Sequence, residues 1–176
     1  MNEQMRYTYM ESPVGRLLLV GSETGLAGVH FVNGKSPINP AKDWLPDNRF
    51  FDETIKQLTA YFNRQLTEFD LAFDLQGTQF QIEVWQELQK IPYGKTISYG
   101  ELARRINRPL AVRAVGAANG QNPIAIIIPC HRVIGSNGKL TGYGGGMANK
   151  EILLALEGVN TATSSAQPSL FQTAVK

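Results

Sequence analysis

Apolar and polar residues alternate near the start of the chain in a pattern typical of β-strands. Residues 6–11, 16–22 and 26–32 are rich in aromatic and aliphatic residues, and turn sequences at residues 12–15 and 24–25 separate them. This pattern predicts an antiparallel meander of three strands. Residues 35–49 carry three prolines without periodicity, which is typical of a surface loop or linker.

The next segment changes to a helical period. Phe51, Ile55, Leu58 and Phe62 recur at a spacing of three or four residues, and apolar residues then alternate with polar ones over residues 69–75. These patterns predict a helix followed by a half-buried strand. Residues 1–76 are therefore expected to form a small α/β domain with an antiparallel sheet.

Helices dominate the pattern of residues 77–160. Thr78 and Gln81 have the spacing of a capping box, as do Ser98 and Glu101, so each pair is expected to open a helix. A third helix is expected over residues 111–119, closed by Gly120. The second and third helices are short and joined by a tight turn, which predicts a helix-turn-helix.

The remainder is expected to form a buried strand, a loop and a final helix. The apolar run 124–128 predicts the strand. Residues 147–157 are expected to form the helix, with Ile152, Ala155 and Leu156 facing inward and Gly158 ending it. We expect residues 161–176 to form a disordered tail.

Composition excludes several classes of protein. The chain has 176 residues, 43% of them hydrophobic, which suffices for one ordinary domain or two small ones. Its longest aliphatic run is too short to span a membrane, and the N-terminus lacks the pattern of a signal peptide, so a cytoplasmic location without membrane contact is expected. The single cysteine, Cys130, excludes an intramolecular disulfide and a zinc site built on paired cysteines.

Positive charge is concentrated in residues 90–113. This segment holds six lysine and arginine residues and one acidic residue, Glu101, although the net charge of the whole chain is only +2. Such a surface suits a polyanion. The helix at residues 111–119 carries one long polar side chain, Arg113, among small residues. Such a helix either packs tightly in a core or approaches the minor groove of a nucleic acid. It has too few hydrogen-bonding groups to recognise bases in a major groove.

Cys130 is the candidate nucleophile, although a small buried cysteine without chemistry is the alternative. A free thiol is only a few per cent ionised at neutral pH, so a reactive cysteine needs a base. His131 follows directly, but neighbours on an extended chain point to opposite faces, which would require a bridging water. The other histidine, His30, is interpreted as structural or surface-exposed.

These motifs together resemble those of the O6-alkylguanine-DNA alkyltransferases. The resemblance extends over about residues 78–158 and is weaker in the N-terminal half. It is carried by residues 129–134 (Pro-Cys-His-Arg-Val-Ile), Asn122-Pro123, residues 113–116 (Arg-Ala-Val-Gly), residues 98–100 (Ser-Tyr-Gly) and Glu157-Gly158. It implies an α/β two-domain protein of the stand-alone bacterial type, with a ribonuclease H-like N-terminal domain and a mostly helical, winged helix-turn-helix-like C-terminal domain that carries the cysteine.

The resemblance also implies an activity. The alkyl group of O6-alkylguanine, or of O4-alkylthymine, would pass from duplex DNA to Cys130 after the base is flipped out, irreversibly, once per molecule, and without cofactor or metal. His131 would act as a base through a water, Glu157 would orient His131, and Tyr99 would give a proton to the departing guanine. Asn122 would position the segment that carries the cysteine.

Further residues are implied for DNA and substrate. The protein would bind double-stranded DNA as a monomer, through the minor groove and with low sequence preference, with Arg113 inserted into the stack. The other expected DNA contacts are Ser98, Tyr99, Ala114, Gly116 and Ala117, and the expected pocket residues are Pro129, Tyr143, Gly144 and Gly145. Because residue 144 is a glycine, only its backbone amide can donate to the guanine oxygen, and a broader tolerance of bulky alkyl groups is expected.

Three other functions stay open at this point. A non-catalytic alkyltransferase-like protein would flag lesions without repairing them, but such proteins lack the cysteine. A cysteine hydrolase using Cys130, His131 and Glu157 would turn over many times. A winged-helix regulator would bind DNA with strong sequence preference.

Overall fold

The N-terminal half is built on a four-stranded sheet. The computed structural model describes residues 3–161, and the sheet has the order β3-β2-β1-β4. Its strands are β1 (Arg6–Met10), β2 (Leu17–Ser22), β3 (Gly25–Phe31) and β4 (Leu45–Pro46). β1, β2 and β3 pair antiparallel, which confirms the predicted meander. The proline-rich segment contributes β4, a two-residue strand parallel to β1 that its sequence did not predict.

A helix follows the sheet as predicted, but the strand expected after it does not form. The helix α1 (Asp52–Phe62) begins after a short 3₁₀ turn and buries Leu58 and Tyr61. The strand predicted over residues 69–75 is wrong, because this segment makes only a single bridge, from Phe73 to Leu26. Further along β3, Val29 pairs instead with residues 123–125, so no continuous edge is left for a longer strand.

The C-terminal half is mostly helical. Its elements are α2 (Gln79–Leu88), β5 (Ile97–Ser98), α3 (Tyr99–Arg105), α4 (Val112–Gly120), β6 (Val133–Ile134) and α5 (Met147–Leu156). Strands β5 and β6 form a short parallel pair that the sequence did not predict. Helices α2, α3 and α4 pack against one another, and a six-residue connection joins α3 to α4.

The two predicted capping boxes differ in the structure. At α2 both bonds are present: Gln81 N donates to Thr78 Oγ1, and Thr78 N donates to Gln81 Oε1. At α3 the Ser98 hydroxyl accepts from Glu101 N at 3.1 Å, but the Glu101 carboxylate turns to Arg104 and Arg105. The second box is therefore only half formed, because two nearby guanidinium groups compete for the carboxylate.

The buried strand predicted at residues 124–128 is also wrong. The segment is buried, but it curls into a turn in which Ile128 N donates to Ile124 O at 3.0 Å. Ile126 has a φ of +73°, in the left-handed region that a β-branched residue rarely adopts. This conformation interrupts the extended backbone that the apolar run predicted.

Helix α5 presents a different face from the one predicted. Leu153, Leu154 and Lys150 are buried, whereas Ile152 is 40% exposed and Ala155 is exposed. The helix is turned so that Lys150 Nζ donates to the backbone carbonyls of Val133 (2.7 Å) and Thr141 (3.0 Å). Gly158 follows α5 with a φ of +77°, as its predicted role at the helix end requires.

One apolar core extends through both halves of the chain. It includes Leu19 and Phe31 of the sheet, Leu58 of α1, Trp85 of α2 and Ile128 of the buried turn. Within residues 3–161, no helix combines the length and the hydrophobicity needed to cross a bilayer. The predicted tail, apart from Thr161, lies outside the described residues.

Candidate active site

Cys130 lies in a buried turn between the two halves of the chain. It is 5% exposed and begins a 3₁₀ turn, Cys130–Arg132, rather than following an extended strand as predicted. Asn122 holds the preceding segment: its Nδ2 donates to Ile128 O at 2.8 Å, and its Oδ1 accepts from Ile124 N at 3.0 Å. Asn119 Nδ2 donates to the Cys130 carbonyl at 3.4 Å, so side-chain amides fix the backbone on both sides of the thiol.

His131 and Glu157 form a buried pair. His131 Nε2 lies 2.7 Å from Glu157 Oε1, and both side chains are fully buried. Since a carboxylate only accepts hydrogen bonds, Nε2 carries the proton and Nδ1 keeps its lone pair in the neutral ring. His131 Nδ1 has no hydrogen-bond partner among residues 3–161, which leaves it available to accept a proton.

Three further groups donate to the Glu157 carboxylate. Arg132 Nε and Nη2 donate to its two oxygens, both at 2.9 Å. Gly94 N donates to Oε2 at 3.2 Å, and the Tyr61 hydroxyl donates to Oε1 at 2.7 Å. Sequence reasoning missed Arg132 and Tyr61 as site residues. Arg132 was marked by its position in the motif around Cys130, but no feature of the sequence marked Tyr61.

Burial and neighbouring charges set the protonation states of Glu157, His131 and Cys130. Burial acts to raise the pKa of Glu157, but the bonds and charges of His131 and Arg132 outweigh it and lower that pKa to about 2. Burial lowers the pKa of His131, against the opposing effect of Glu157. Burial also raises the pKa of Cys130. At neutral pH the site therefore holds a carboxylate, a neutral imidazole and a protonated thiol, and the thiol needs a base to react.

A cavity of about 410 Å³ adjoins Cys130, and both halves of the chain line it. Tyr143, Gly144 and Gly145, three of the predicted pocket residues, lie along it together with His30 and Phe31 of β3. His30 is half-buried there, and burial lowers its pKa.

Close packing and buried polar atoms shape this cavity. The ring of Phe31 meets that of Tyr143 edge to face at 5.7 Å, and a Cβ on Gly145 would lie 2.6 Å from the Phe31 ring, so this position needs a glycine. Asn119 Oδ1 is buried without a partner among residues 3–161, and the buried Tyr143 hydroxyl interacts with the Cys130 thiol and acts to lower its pKa.

Pro129, the fourth predicted pocket residue, lies outside the cavity beside Cys130. Although it precedes Cys130, it lines a separate cleft of about 660 Å³ together with Arg132, Ile127 and Tyr93. The 3₁₀ turn directs Cys130 to one cavity and Pro129 to the other.

The residues expected to meet DNA lie around the start and the outer face of α4. Arg113, Ala114 and Ala117 are exposed there, whereas Gly116 is half-buried beside the ring of Tyr99. Tyr99 and Arg113 share a shallow cleft with Tyr143, and Ser98 caps α3 beside Tyr99.

The charged side chains of this surface differ in their pairing. Arg104 and Arg105 pair with Glu101, and Arg108 pairs with Glu83. Arg113 is exposed and makes no ion pair with any residue of the described range 3–161.

Comparison with known proteins agrees with this arrangement. Residues 5–75 match the family model of the 6-O-methylguanine DNA methyltransferase ribonuclease-like domain, and residues 79–159 match that of its DNA binding domain. The methylated-DNA--protein-cysteine methyltransferase of Methanosarcina acetivorans is 53% identical, over 88% of this chain and 99% of its own. The protein of the same name from Mycolicibacterium paratuberculosis is 51% identical, over 87% and 92%.

A solved structure is similar as well. The crystal structure of Mycobacterium tuberculosis OGT in complex with DNA superposes with a TM-score of 0.81 and 52% identity, over 86% of this chain and 92% of that one. An N-terminal sheet domain, a C-terminal helical DNA-binding domain and a buried cysteine beside a histidine thus define the class: a methyltransferase of DNA repair that transfers methyl groups from methylated DNA to a protein cysteine. The chain belongs to the 6-O-methylguanine DNA methyltransferase family.

Proposed function

We propose that this protein repairs O6-alkylguanine in duplex DNA by moving the alkyl group directly onto Cys130. The observation that carries the proposal is the buried Cys130 beside a cavity, followed by a neutral His131 whose Nδ1 has no hydrogen-bond partner in the described part of the chain. The raised pKa of the thiol, caused by burial, makes a base necessary. His131, held by Glu157, has the properties of that base.

The transfer is a displacement at the alkyl carbon. A water bridges His131 Nδ1 and the thiol and passes the proton to the imidazole, while Glu157 orients the ring and stabilises its charged form. The sulfur forms a bond to the alkyl carbon as the bond from that carbon to O6 breaks. The electron pair remains on the guanine, which takes a proton at a ring nitrogen from Tyr99. The thioether has no easy route back to thiol, so each molecule reacts once.

Other alkylated bases fit the same scheme. O4-alkylthymine carries its alkyl group on a ring oxygen that leaves in the same way, so we include it as a substrate. The open cavity beside Gly144, which has no side chain, favours acceptance of alkyl groups larger than methyl.

The α3–α4 pair serves as a helix-turn-helix of the winged type in this proposal, approaching DNA from the minor groove. Ala114, Gly116 and Ala117 bring little bulk between α4 and the phosphates, and such a helix carries little sequence preference. Because O6 lies inside the duplex, the damaged base must be flipped out. The exposed Arg113 fills the vacated place, and Ser98 and Tyr99 contact the DNA nearby.

The remaining organisation follows from the same proposal. Residues 1–76 act as a ribonuclease H-like domain and residues 77–160 as the DNA-binding and alkyl-accepting domain. We propose that the protein works in the cytoplasm as a monomer.

A mass measurement tests the proposal. The protein is incubated with a duplex containing O6-methylguanine, and the mass of the intact protein and of its peptides is determined. One added methyl group on the peptide bearing Cys130, saturating at one per molecule, is the expected result. Cys130→Ser is expected to gain no mass but still to bind the duplex. Tight lesion-selective binding by the wild-type protein without a mass change would favour a non-catalytic role and contradict the assignment of Cys130.

A further inference from the structure

Tyr61 brings the N-terminal half into direct contact with the His131–Glu157 pair. It lies in the last turn of α1 and is fully buried. Its hydroxyl donates to Glu157 Oε1 at 2.7 Å, and His131 Nε2 lies at the same distance from that oxygen. The other donors to Glu157, Arg132 and Gly94, come from the C-terminal half.

The surroundings of Tyr61 fix its hydroxyl as a donor. Its ring packs against Phe62 and Phe69, with centroids 5.4 Å away in each case, and against Tyr93 at 6.0 Å. Burial and the charge of Glu157 raise the pKa of Tyr61 far above its usual range, so the phenol stays protonated at every working pH. Tyr61 is thus a rigid and permanent donor.

We propose that Tyr61 is a positioning residue through which the N-terminal half sets the acid limit of methyl transfer. The inference rests on the proposed role of His131 as the base. By donating to Oε1, Tyr61 draws negative charge from the oxygen that would stabilise protonated His131. The imidazole then loses its proton at a lower pH, and the neutral ring that the reaction needs persists further into the acid range.

Several other groups act on His131 from the elements packed around it, and the substitution of Tyr61 leaves them in place. The charged groups are Glu157 after α5, Arg132 on the same turn and Lys150 of α5. The neutral titratable groups near the pair are Cys130, Tyr143 and Tyr93. Only Tyr61 and Arg132 share Oε1 with the histidine among the described residues.

Tyr61→Phe is a conservative test. The ring and its packing are kept, and Glu157 Oε1 still accepts from His131 and Arg132, so no buried oxygen is left unpaired and the fold is expected to persist. Tyr93→Phe is the matched control, because it removes a hydroxyl from the same aromatic cluster that donates to the backbone oxygen of Leu156 and not to the carboxylate.

The experiment measures single-turnover methyl transfer from an O6-methylguanine duplex as a function of pH. In Tyr61→Phe the acid limb is expected to move up by about one pH unit, with a loss of about tenfold in rate on that limb and unchanged DNA affinity. Tyr93→Phe is expected to follow the wild-type profile. A Tyr61→Phe profile identical to wild type, or an equal displacement in both variants, would overturn the proposal.

A second measurement does not depend on methyl transfer. The protonation of the His131 ring is followed by NMR in the wild-type protein and in both variants, without DNA. We expect His131 to titrate at higher pH in Tyr61→Phe alone, and an unchanged titration in that variant would refute the role of Tyr61. Absence of transfer in the wild-type protein, in contrast, would refute the proposed function and leave the NMR result to decide on Tyr61.

Discussion

Replacement of Glu157 by glutamine tests how far the fold depends on the buried carboxylate. The side chain is fully buried and accepts hydrogen bonds from Tyr61, His131, Arg132 and Gly94. An amide of the same shape has one acceptor oxygen, and its nitrogen brings two N–H groups among these donors. The buried Arg132 guanidinium also loses its counter-ion.

Two lines of reasoning give the magnitude. Removing one partner of a buried ion pair costs about 3–5 kcal/mol, because the other charge stays buried and unpaired. Independently, the pKa of Glu157 lies at about 2, against an ordinary value of 4.5, and this difference corresponds to about 3 kcal/mol of folding free energy at neutral pH. We therefore expect Glu157→Gln to lower the free energy of unfolding by about 3–5 kcal/mol and the melting temperature by about 10 °C.

The pH dependence has a definite sign. Because folding lowers the pKa of Glu157, its carboxylate stabilises the protein at pH values above its ordinary pKa of 4.5, and this contribution is lost as the pH falls toward about 2. The difference between wild type and Glu157→Gln is thus expected to be largest at neutral pH and to narrow in acid.

Urea denaturation of both proteins over a range of pH is the assay. Glu101→Gln serves as the control, since it makes the same substitution in a carboxylate that pairs with Arg104 and Arg105 at the surface, where ion pairs contribute little. A loss below about 1 kcal/mol for Glu157→Gln at neutral pH, or a difference that grows in acid, would refute the reasoning.

Three other substitutions have distinct expected outcomes. Asn122→Ala removes the side chain that holds the turn before the thiol, and we expect urea denaturation to show a loss of about 1–3 kcal/mol and single-turnover assays to show slower transfer. Lys150→Met leaves the carbonyls of Val133 and Thr141 unpaired and is expected to destabilise the fold. Since burial lowers the pKa of Lys150 to about 8 from 10.5, the wild-type protein is expected to gain stability relative to this variant as the pH rises between those values, and a relative loss would contradict this. Arg113→Ala is expected to leave the melting temperature unchanged and to slow transfer from duplex DNA more than from the free alkylated base; equal slowing on both substrates would exclude a role in base flipping.

Local sequence signals predicted the elements whose hydrogen bonds join residues of one helix or of neighbouring strands in the chain. The meander of β1 to β3, the helix α1 and the capping box of Thr78 and Gln81 all appear in the structure. The pattern of apolar and polar residues gave wrong predictions where segments distant in sequence compete for the same sheet edge. The patterns predicted a strand over residues 69–75 and another over 124–128, yet each segment meets β3 at a single bridge. Both segments lie along the same edge of the sheet, so neither can pair with the whole of β3.

Helix α5 shows the same limit for a helical pattern. Periodicity placed Ile152 inside, whereas the structure exposes it and buries Lys150. The ammonium group of Lys150 is accommodated because two backbone carbonyls from other segments accept its hydrogen bonds. The sequence of the helix alone does not predict where those carbonyls lie, so it could not predict that Lys150 is buried.

The candidate site also has features that the sequence determined and features that only the tertiary structure decided. The sequence alone determined that the chain has one cysteine, that a histidine follows it and that basic residues precede it, because these are properties of residue identity and spacing. Only the tertiary structure decided that Glu157 lies 2.7 Å from His131, that Arg132 neutralises the carboxylate, and that Tyr61 reaches it from 96 positions away. The protonation states of the site depend on burial and on charges that folding brings together, and neither exists along an extended chain.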